Sequence, residues 1–372
     1  MVKIMRVLTD QEVLDILVGC TMLATGGGGS MQESLGILKE DFENGNKVSL
    51  ITLDELADDV MVATPYGCGA PEGDDSAGVM PEEYAGLPQL ECLPSLLGFK
   101  KLEEFLGKKF SGVCSTELGA ANLAEAIHIA MQLDLPLVDG DPVGRCVPEL
   151  QHSTYYLSGV KINPMAVVTQ FGDAIILDDV VDDFRAESIV RAISAASNDM
   201  VGVVDHPITG KVAKETLIPN AISHVMSIGK YIRECQEAGM DVATNVAQQF
   251  GGKVLFRGVI TEIPWECVGG FNVGDIHLDG RKEYEGHNYR IGFKNENMVG
   301  YYDGVKNITI PDMICMLDKD GTPLTTPNYK VGTEMTLVAM PAPDVWKTEK
   351  GLECFGPSYF GLKEPYVPFS ID

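Results

Sequence analysis

Acidic side chains and one arginine are crowded into residues 137–151 of this 372-residue chain. The segment carries Asp139, Asp141, Arg145 and Glu149 among glycines and prolines, directly after a short apolar run at 135–138. Turn formation explains the glycines and prolines, but not an arginine set among carboxylates. A guanidinium can donate two hydrogen bonds to a carboxylate or carbonyl, and a carboxylate can act as a general base. We therefore predict a binding site for a polar small molecule.

The same side chains allow two other interpretations. Asp139, Asp141, Glu149 and His152 are candidate ligands for a divalent metal, because carboxylates and imidazoles at such spacing can share one ion. Alternatively, Arg145 pairs with a carboxylate and only makes the loop rigid. The residue types leave these interpretations open, and the sequence requires no cofactor.

Polar residues also follow two other predicted strands. Cys68 comes after a strand predicted at 60–63, and Glu117 and Asn122 come after one at 110–114. A helix at 123–131 joins that strand to the one at 135–138, which makes the two strands parallel. Ligands bind at the carboxyl edge of such sheets, so we expect one shared cleft. The predicted catalytic residues are Glu117, Asp141, Glu149 and Cys68, and the predicted substrate-binding residues include Asn122, Asp139 and Arg145.

Four consecutive glycines, Gly26, Gly27, Gly28 and Gly29, end the first predicted helix. One glycine would be enough to end a helix, so four allow either a flexible connector or a close approach of the backbone to a ligand. The run lacks the lysine of a Walker A loop and follows a helix instead of a strand, unlike a dinucleotide-binding fingerprint. We add these glycines to the predicted substrate-binding residues, as backbone amides for an anion or carbonyl.

Two domains are predicted from the hydrophobic pattern. Residues 1–165 form an α/β domain with a partly parallel sheet that carries the site. Residues 166–372 form a mostly-β domain with inserted helices around 183–238, because many short apolar runs separated by Gly, Asn, Asp and Pro follow residue 253. An acidic, proline-containing stretch at 72–91 is predicted to be a loop or lid.

The net charge of -26 argues against binding to nucleic acid or to anionic membranes. No apolar run approaches the roughly 20 residues of a membrane span, and the first residues do not form a signal peptide. Nine cysteines without a CxxC pair suit a reducing compartment. We expect a cytoplasmic homo-oligomer that acts on a small molecule.

Residues 139–149, together with 23–29, 69–71 and 117–122, resemble the family once called DUF917 and now described as S-methyl thiohydantoin desulfurase-like. The resemblance covers nearly the whole chain. It implies an N-terminal α/β domain, a C-terminal mostly-β domain and hydrolysis of an S-methyl thiohydantoin to a hydantoin and methanethiol. Members are often associated with hydantoinase and oxoprolinase proteins, so the resemblance also implies a partner of that type.

The sequence departs from the family near the predicted cleft. Many members have Glu-Gly-Gly-x-Asn where this chain has Glu-Leu-Gly-Ala-Ala-Asn at 117–122, and Cys146 replaces a small residue. We predict a hydrolase that breaks a C–S or C–N bond of a five-membered cyclic ureide. Arg145 and the glycine amides would hold the ring, while Glu117 or Asp141 activates water. The alternatives are a metal-dependent, hydantoinase-like amidohydrolase and a non-catalytic subunit of a hydantoinase- or oxoprolinase-type enzyme.

Overall fold

Two β-sheets with helices packed against them organise the chain. The structure, a computed structural model, describes residues 5–69, 82, 84–326, 328–363, 365–366 and 368–370. The α-helices, numbered α1 to α10, are Asp10–Leu23, Met31–Asn44, Pro94–Leu106, Ala120–Leu133, Thr154–Leu157, Asp183–Ala195, Gly210–Thr216, Ala221–Glu237, Val242–Gln249 and Glu349–Phe355. The strands, numbered β1 to β17, are Arg6–Val7, Ser49–Thr52, Met61–Gly69, Phe110–Val113, Leu137–Asp141, Met165–Thr169, Ala174–Leu177, Met200–Thr209, Ile218–Pro219, Lys253–Glu262, Trp265–Val268, Phe271–Gly280, Asn288–Lys294, Glu296–Tyr302, Val305–Thr309, Met313–Asp318 and Glu334–Met340.

The first sheet has the strand order β1-β2-β5-β4-β3-β8-β6-β7, with β9 paired to β5. Strands β2, β5, β4 and β3 are parallel, and the strands on either side of them are antiparallel. Helix α4 connects β4 to β5, as the sequence predicts. The partly parallel sheet of the predicted α/β domain is therefore confirmed.

The second sheet is antiparallel throughout, with the order β15-β14-β13-β12-β10-β17-β16 and with β11 paired to β12. It follows helices α6 to α9 in the chain. This arrangement confirms the mostly-β C-terminal half with inserted helices.

The division between the two sheets does not coincide with the predicted boundary at residue 165. Strand β6 begins at that residue and β7 and β8 follow it, yet all three complete the first sheet through the pairing of β8 with β3. Their short apolar pattern is the same as that of the later antiparallel strands, so the pattern alone does not identify the sheet that each strand joins.

Several loops predicted from glycine and proline content are strands. Strand β3 continues past the strand predicted at 60–63 as far as Gly69, so Cys68 lies within it, and β5 includes Asp139 and Asp141. Glu149 and His152 precede α5 and do not lie on a helix. Residues 70–81 and 83, most of the predicted loop or lid, lie outside the described residues. None of the helices described is both long enough and apolar enough to span a membrane.

Helices α1 and α8 pack backbone to backbone, and this contact positions the glycine run that follows α1. A Cβ on Gly19 would overlap Val225 O, and a Cβ on Gly229 would overlap Asp15 O. Arg233 on α8 also donates to both carboxylate oxygens of Asp15 at 2.9 Å. The close approach therefore depends on glycine at both helix surfaces.

We expect Gly19→Ala to lower the free energy of unfolding by about 1–3 kcal/mol, because the added methyl group forces α1 away from the Val225 carbonyl. The matched control is Gly36→Ala within α2, where a Cβ meets nothing within 4 Å. Alanine there should stabilise the protein by about 0.5–1 kcal/mol. Urea denaturation of both variants measures the difference, and equal midpoints would contradict this account of the α1–α8 contact.

A carboxylate-lined cavity between the two sheets

A cavity of about 500 Å³ lies between the first sheet, the glycine run and the start of β14. Its wall contains residues from strands β3 and β8, from the loops that follow β4 and β5, and from the second sheet. The residues predicted from sequence that line it are Gly27, Gly28, Gly29, Cys68, Glu117, Asn122, Glu149 and His152. The structure therefore brings together residues from all the predicted site loops.

Glu117 lies in the loop between β4 and the first turn of α4, and its side chain is buried. One carboxylate oxygen accepts hydrogen bonds from Asn122 Nδ2 and the other accepts from Val147 N, each at 2.8 Å. Asn122 is itself oriented by Gly67 N, which donates to its Oδ1 at 3.0 Å. Glu117 thus faces the cavity in a fixed orientation, although it is almost inaccessible to bulk water.

Cys146 lies between Glu117 and a second buried carboxyl group, Glu296 at the start of β14. Its Sγ is 3.0 Å from Glu117 Oε2 and 3.3 Å from Glu296 Oε1. A thiol carries one proton, so it can donate to only one of the two carboxyl groups at a time. We call these three residues the carboxyl–thiol cluster.

The two carboxyl groups of this cluster titrate above their ordinary range. Burial, together with the nearby charge of Glu117, raises the pKa of Glu296 to about 8. Burial also raises the pKa of Glu117, but three hydrogen-bond donors oppose this shift. Glu296 Oε2 is buried without a hydrogen-bond partner. At neutral pH the arrangement therefore favours a proton on Glu296 and a negative charge on Glu117.

Burial and the two neighbouring carboxylates raise the pKa of the Cys146 thiol well above its usual range. Burial likewise raises the pKa of Cys68 to about 12, despite the nearby guanidinium of Arg191. A neutral thiol is a weak nucleophile. The environment of Cys68 therefore gives no support to its predicted catalytic role.

The glycine run holds the cluster from the opposite side. A Cβ on Gly27 would overlap the carboxyl group of Glu296, and a Cβ on Gly28 would crowd Cys146 Sγ. Gly28 O accepts from Ala121 N at 3.1 Å, while Gly26 O accepts from Thr326 N at 3.0 Å. The run therefore hydrogen-bonds to segments from both halves of the chain. It is not the flexible connector that was one of the two interpretations of the sequence.

Arg145 faces away from the cavity. Its side chain is fully buried, and it donates to Pro311 O at 2.5 Å, to Thr25 Oγ1 at 3.0 Å and to Cys146 O at 3.0 Å. Its guanidinium also lies over the ring of Phe355. Protein groups already occupy these donors, so its position corrects the prediction that Arg145 holds the substrate.

Asp139 and Asp141 are also absent from the cavity wall, because they lie within strand β5. Asp141 accepts from Ser115 Oγ and from the amides of Val143 and Gly144, and Asp139 accepts from Ser223. Burial raises the pKa of Asp141 to about 6. Asp141 thus holds the turn after β5 and Asp139 holds the first turn of α8, in place of the predicted catalytic and binding roles. Gly26 is likewise not a lining residue.

Glu149 and His152 line the cavity but do not form a shared ligand pair. Glu149 contacts Lys294 and accepts a hydrogen bond from Tyr359 Oη at 2.6 Å. His152 is packed among Phe355, Tyr359 and Phe360, and burial lowers its pKa to about 3. Within the described ranges, no group of three His, Cys, Asp or Glu side chains is arranged to hold a metal ion. The four candidate metal ligands are therefore not gathered around one point: Asp139 and Asp141 lie off the cavity wall, while Glu149 and His152 share Tyr359 as a neighbour within it.

Glu296 and Arg191 are charged residues of the cavity wall that the sequence pattern did not indicate. Glu296 comes from the second sheet, 150 residues after Cys146, and its only sequence signal is an acidic residue at the start of an apolar strand. Arg191 on α6 donates to Gly69 O at 2.9 Å and to Pro148 O at 3.1 Å. Arg191 thus connects the end of β3 to the loop that follows β5, and it supplies a positive charge at the cavity wall.

The chain matches known families and folds along nearly its full length. Residues 11–179 match the S-Me-THD-like N-terminal domain, and residues 181–369 match the S-Me-THD-like C-terminal domain. A protein from Chromobacterium violaceum, solved by X-ray crystallography as a Northeast Structural Genomics Consortium target, has the same fold with a TM-score of 0.79. That similarity covers 98% of this chain and 100% of the other, at 20% sequence identity. No curated protein matches the chain.

The two domain matches confirm the resemblance carried by the motifs at 23–29, 117–122 and 139–149. They follow one another along the chain in the order that the two-domain architecture requires. The chain therefore belongs to the S-Me-THD-like family, the S-methyl thiohydantoin desulfurase-like proteins.

Proposed function

We propose that the chain is a hydrolase that removes the sulfur substituent from a small cyclic ureide of the S-methyl thiohydantoin type. The carboxyl–thiol cluster carries this proposal. It places a carboxylate and a protonated carboxyl group on one wall of a cavity that is large enough for a five-membered ring. Hydrolysis needs a base for the water and an acid for the leaving sulfur, and two carboxyl groups with different protonation supply both.

Glu117 is the proposed general base. Water forms a C–O bond with the ring carbon that carries sulfur and passes one proton to Glu117, while the electron pair of the C=N bond moves to nitrogen. The hydroxyl proton of the intermediate then moves to that nitrogen as the carbonyl forms. The C–S bond breaks, and sulfur leaves as methanethiol with the proton of Glu296.

Cys146 supports the return of the cluster to its starting state. After the reaction Glu117 is protonated and Glu296 is charged, and the Cys146 thiol lies within hydrogen-bond distance of both. It can donate its proton to Glu296 and receive the one on Glu117. This role gives a chemical reason for a cysteine where the family often has a small residue.

We expect Glu117→Gln to reduce methanethiol release from an S-methyl thiohydantoin by about 10²–10⁴-fold, the usual contribution of a general base. Glutamine has the same shape and keeps an acceptor for Val147 N, so the fold should be retained. Methanethiol is quantified with a thiol-reactive dye under saturating substrate.

The matched control for this variant is Glu103→Gln. Glu103 is also buried and accepts a backbone hydrogen bond, from Phe110 N at 2.8 Å, but it lies on α3 outside the cavity wall. Glu103→Gln should leave turnover within about twofold of the parent, because a substitution outside the cavity wall does not change a group that contacts the substrate. Equal turnover by Glu117→Gln and the parent protein would refute the assignment of Glu117.

The proposed roles also predict the pH dependence of turnover. Activity should increase as Glu117 ionises, and it should decrease as the pH rises through about 8, where Glu296 loses the proton that it gives to sulfur. Glu296→Gln should lower the rate and remove this alkaline decrease, because glutamine has no titrating proton. A rate profile from pH 5 to 10 tests this, and an unchanged alkaline decrease in Glu296→Gln would exclude Glu296 as the acid.

A further inference from the structure

A strained histidine on β8 forms part of the cavity wall. Strand β8 carries one extra residue relative to β3, because Val62 pairs with Ile208 while Thr64 pairs with Asp205. This β-bulge contains His206, whose φ of 42° lies in the left-handed region that side chains rarely adopt. Bulges redirect side chains and are frequent beside functional sites. The bulge here leaves His206 buried at the cavity wall.

The imidazole of His206 is fixed by three neighbours. Its Nδ1 is 2.8 Å from Asp205 Oδ1, and Tyr66 Oη donates to Asp205 Oδ2 at 2.6 Å. The ring of Tyr155 stacks on the imidazole with the centroids 4.1 Å apart. The carboxylate of Asp205 can only accept, so Nδ1 of His206 carries a proton, and in the neutral imidazole this is the only ring N–H. Its Nε2 then presents a lone pair.

This Nε2 has no hydrogen-bond partner although it is buried. Burying an acceptor without a donor is unfavourable, and native structures do so rarely unless a ligand or water completes the bond. His206 therefore combines backbone strain, a fixed tautomer and an unused acceptor in a wall that also contains Glu117.

We propose that His206 Nε2 is a substrate-binding group that accepts a hydrogen bond from a ring N–H of the ligand. The inference rests on the proposed function, since a cyclic ureide carries such an N–H. It assigns an orientation: the N–H side of the ring lies at His206, and the reacting carbon lies towards the carboxyl–thiol cluster. Asp205 and Tyr66 are positioning residues, because they act through the imidazole.

The tautomer of the free protein is the first test. The chain has six histidines, so ¹⁵N-histidine labelling allows each ring to be assigned by NMR. We expect the neutral ring of His206 to carry its proton on Nδ1, and we expect hydantoin to shift its Nε2 resonance. His128 is the internal control, because it pairs with Asp41 at 2.6 Å outside the cavity wall. A proton on Nε2 of the free, neutral ring would overturn the inference without any ligand.

The second test reverses the tautomer without removing the ring. In Asp205→Asn the amide can donate to Nδ1, which moves the imidazole proton to Nε2 and converts the acceptor into a donor. Hydantoin affinity, measured by calorimetry, should fall about tenfold or more, as expected when a buried hydrogen bond is replaced by two facing donors. The matched control, Asp41→Asn, changes an equivalent His–Asp pair and should keep the parent affinity.

The outcomes separate this inference from the proposed function. Hydantoin binding without a change at His206 Nε2, or with parent affinity in Asp205→Asn, overturns the inference alone. A parent protein that does not bind hydantoin at millimolar concentration overturns both the inference and the ureide assignment. A shift at His206 Nε2 together with full turnover by Glu117→Gln supports the inference and refutes the proposed base.

Discussion

One thiol proton between two buried carboxyl groups is the constraint on which the cavity depends. Cys146 contacts Glu117 and Glu296 at once, and no side chain in the described part of the chain donates to Glu296 Oε2. A second ionised carboxylate would be buried with only Cys146 and the charge of Arg145 to offset its desolvation and the repulsion of the first, so the pair favours a proton on one member. The surrounding contacts decide which one, because Asn122 and Val147 donate only to Glu117. The asymmetry of these hydrogen bonds thus creates two different groups from two identical side chains.

The rest of the architecture keeps these groups together although they come from different sheets. The packing of α1 against α8 fixes the end of α1, and the glycine run that follows bonds to both halves of the chain. Arg145 adds to this connection on the side away from the cavity, because it joins the loop after β5 to Pro311 in the second half. Its charge is used for buried backbone carbonyls, which is why it is unavailable to a ligand. The prominent arginine of the sequence therefore connects the loop that carries Cys146 to the second half of the chain.

The parts of the site that could be predicted from sequence are those set by local chain geometry. The unit β4–α4–β5 has to place Glu117 and Asn122 at the carboxyl edge of the sheet, and the structure finds both at the cavity. Side-chain direction after the turn at Gly144 is not a local property, because it depends on acceptors from distant segments such as Pro311. Glu296 and His206 were unpredictable for a similar reason. Glu296 comes from the second sheet, and His206 lies in a bulge of β8 at the cavity wall.

The pairing of β8 with β3 makes the two matched domains depend on each other for one sheet and one cavity. The two domain matches meet at about residue 180, yet β8 lies beyond that point and completes the sheet of the first domain. A first half cut at the domain boundary would therefore lack β8, which is a central strand of its sheet, together with His206. It would also lack Glu296. The first half encodes only part of its own sheet, and each half encodes only part of the cavity wall. Neither half can therefore form the cavity without the other.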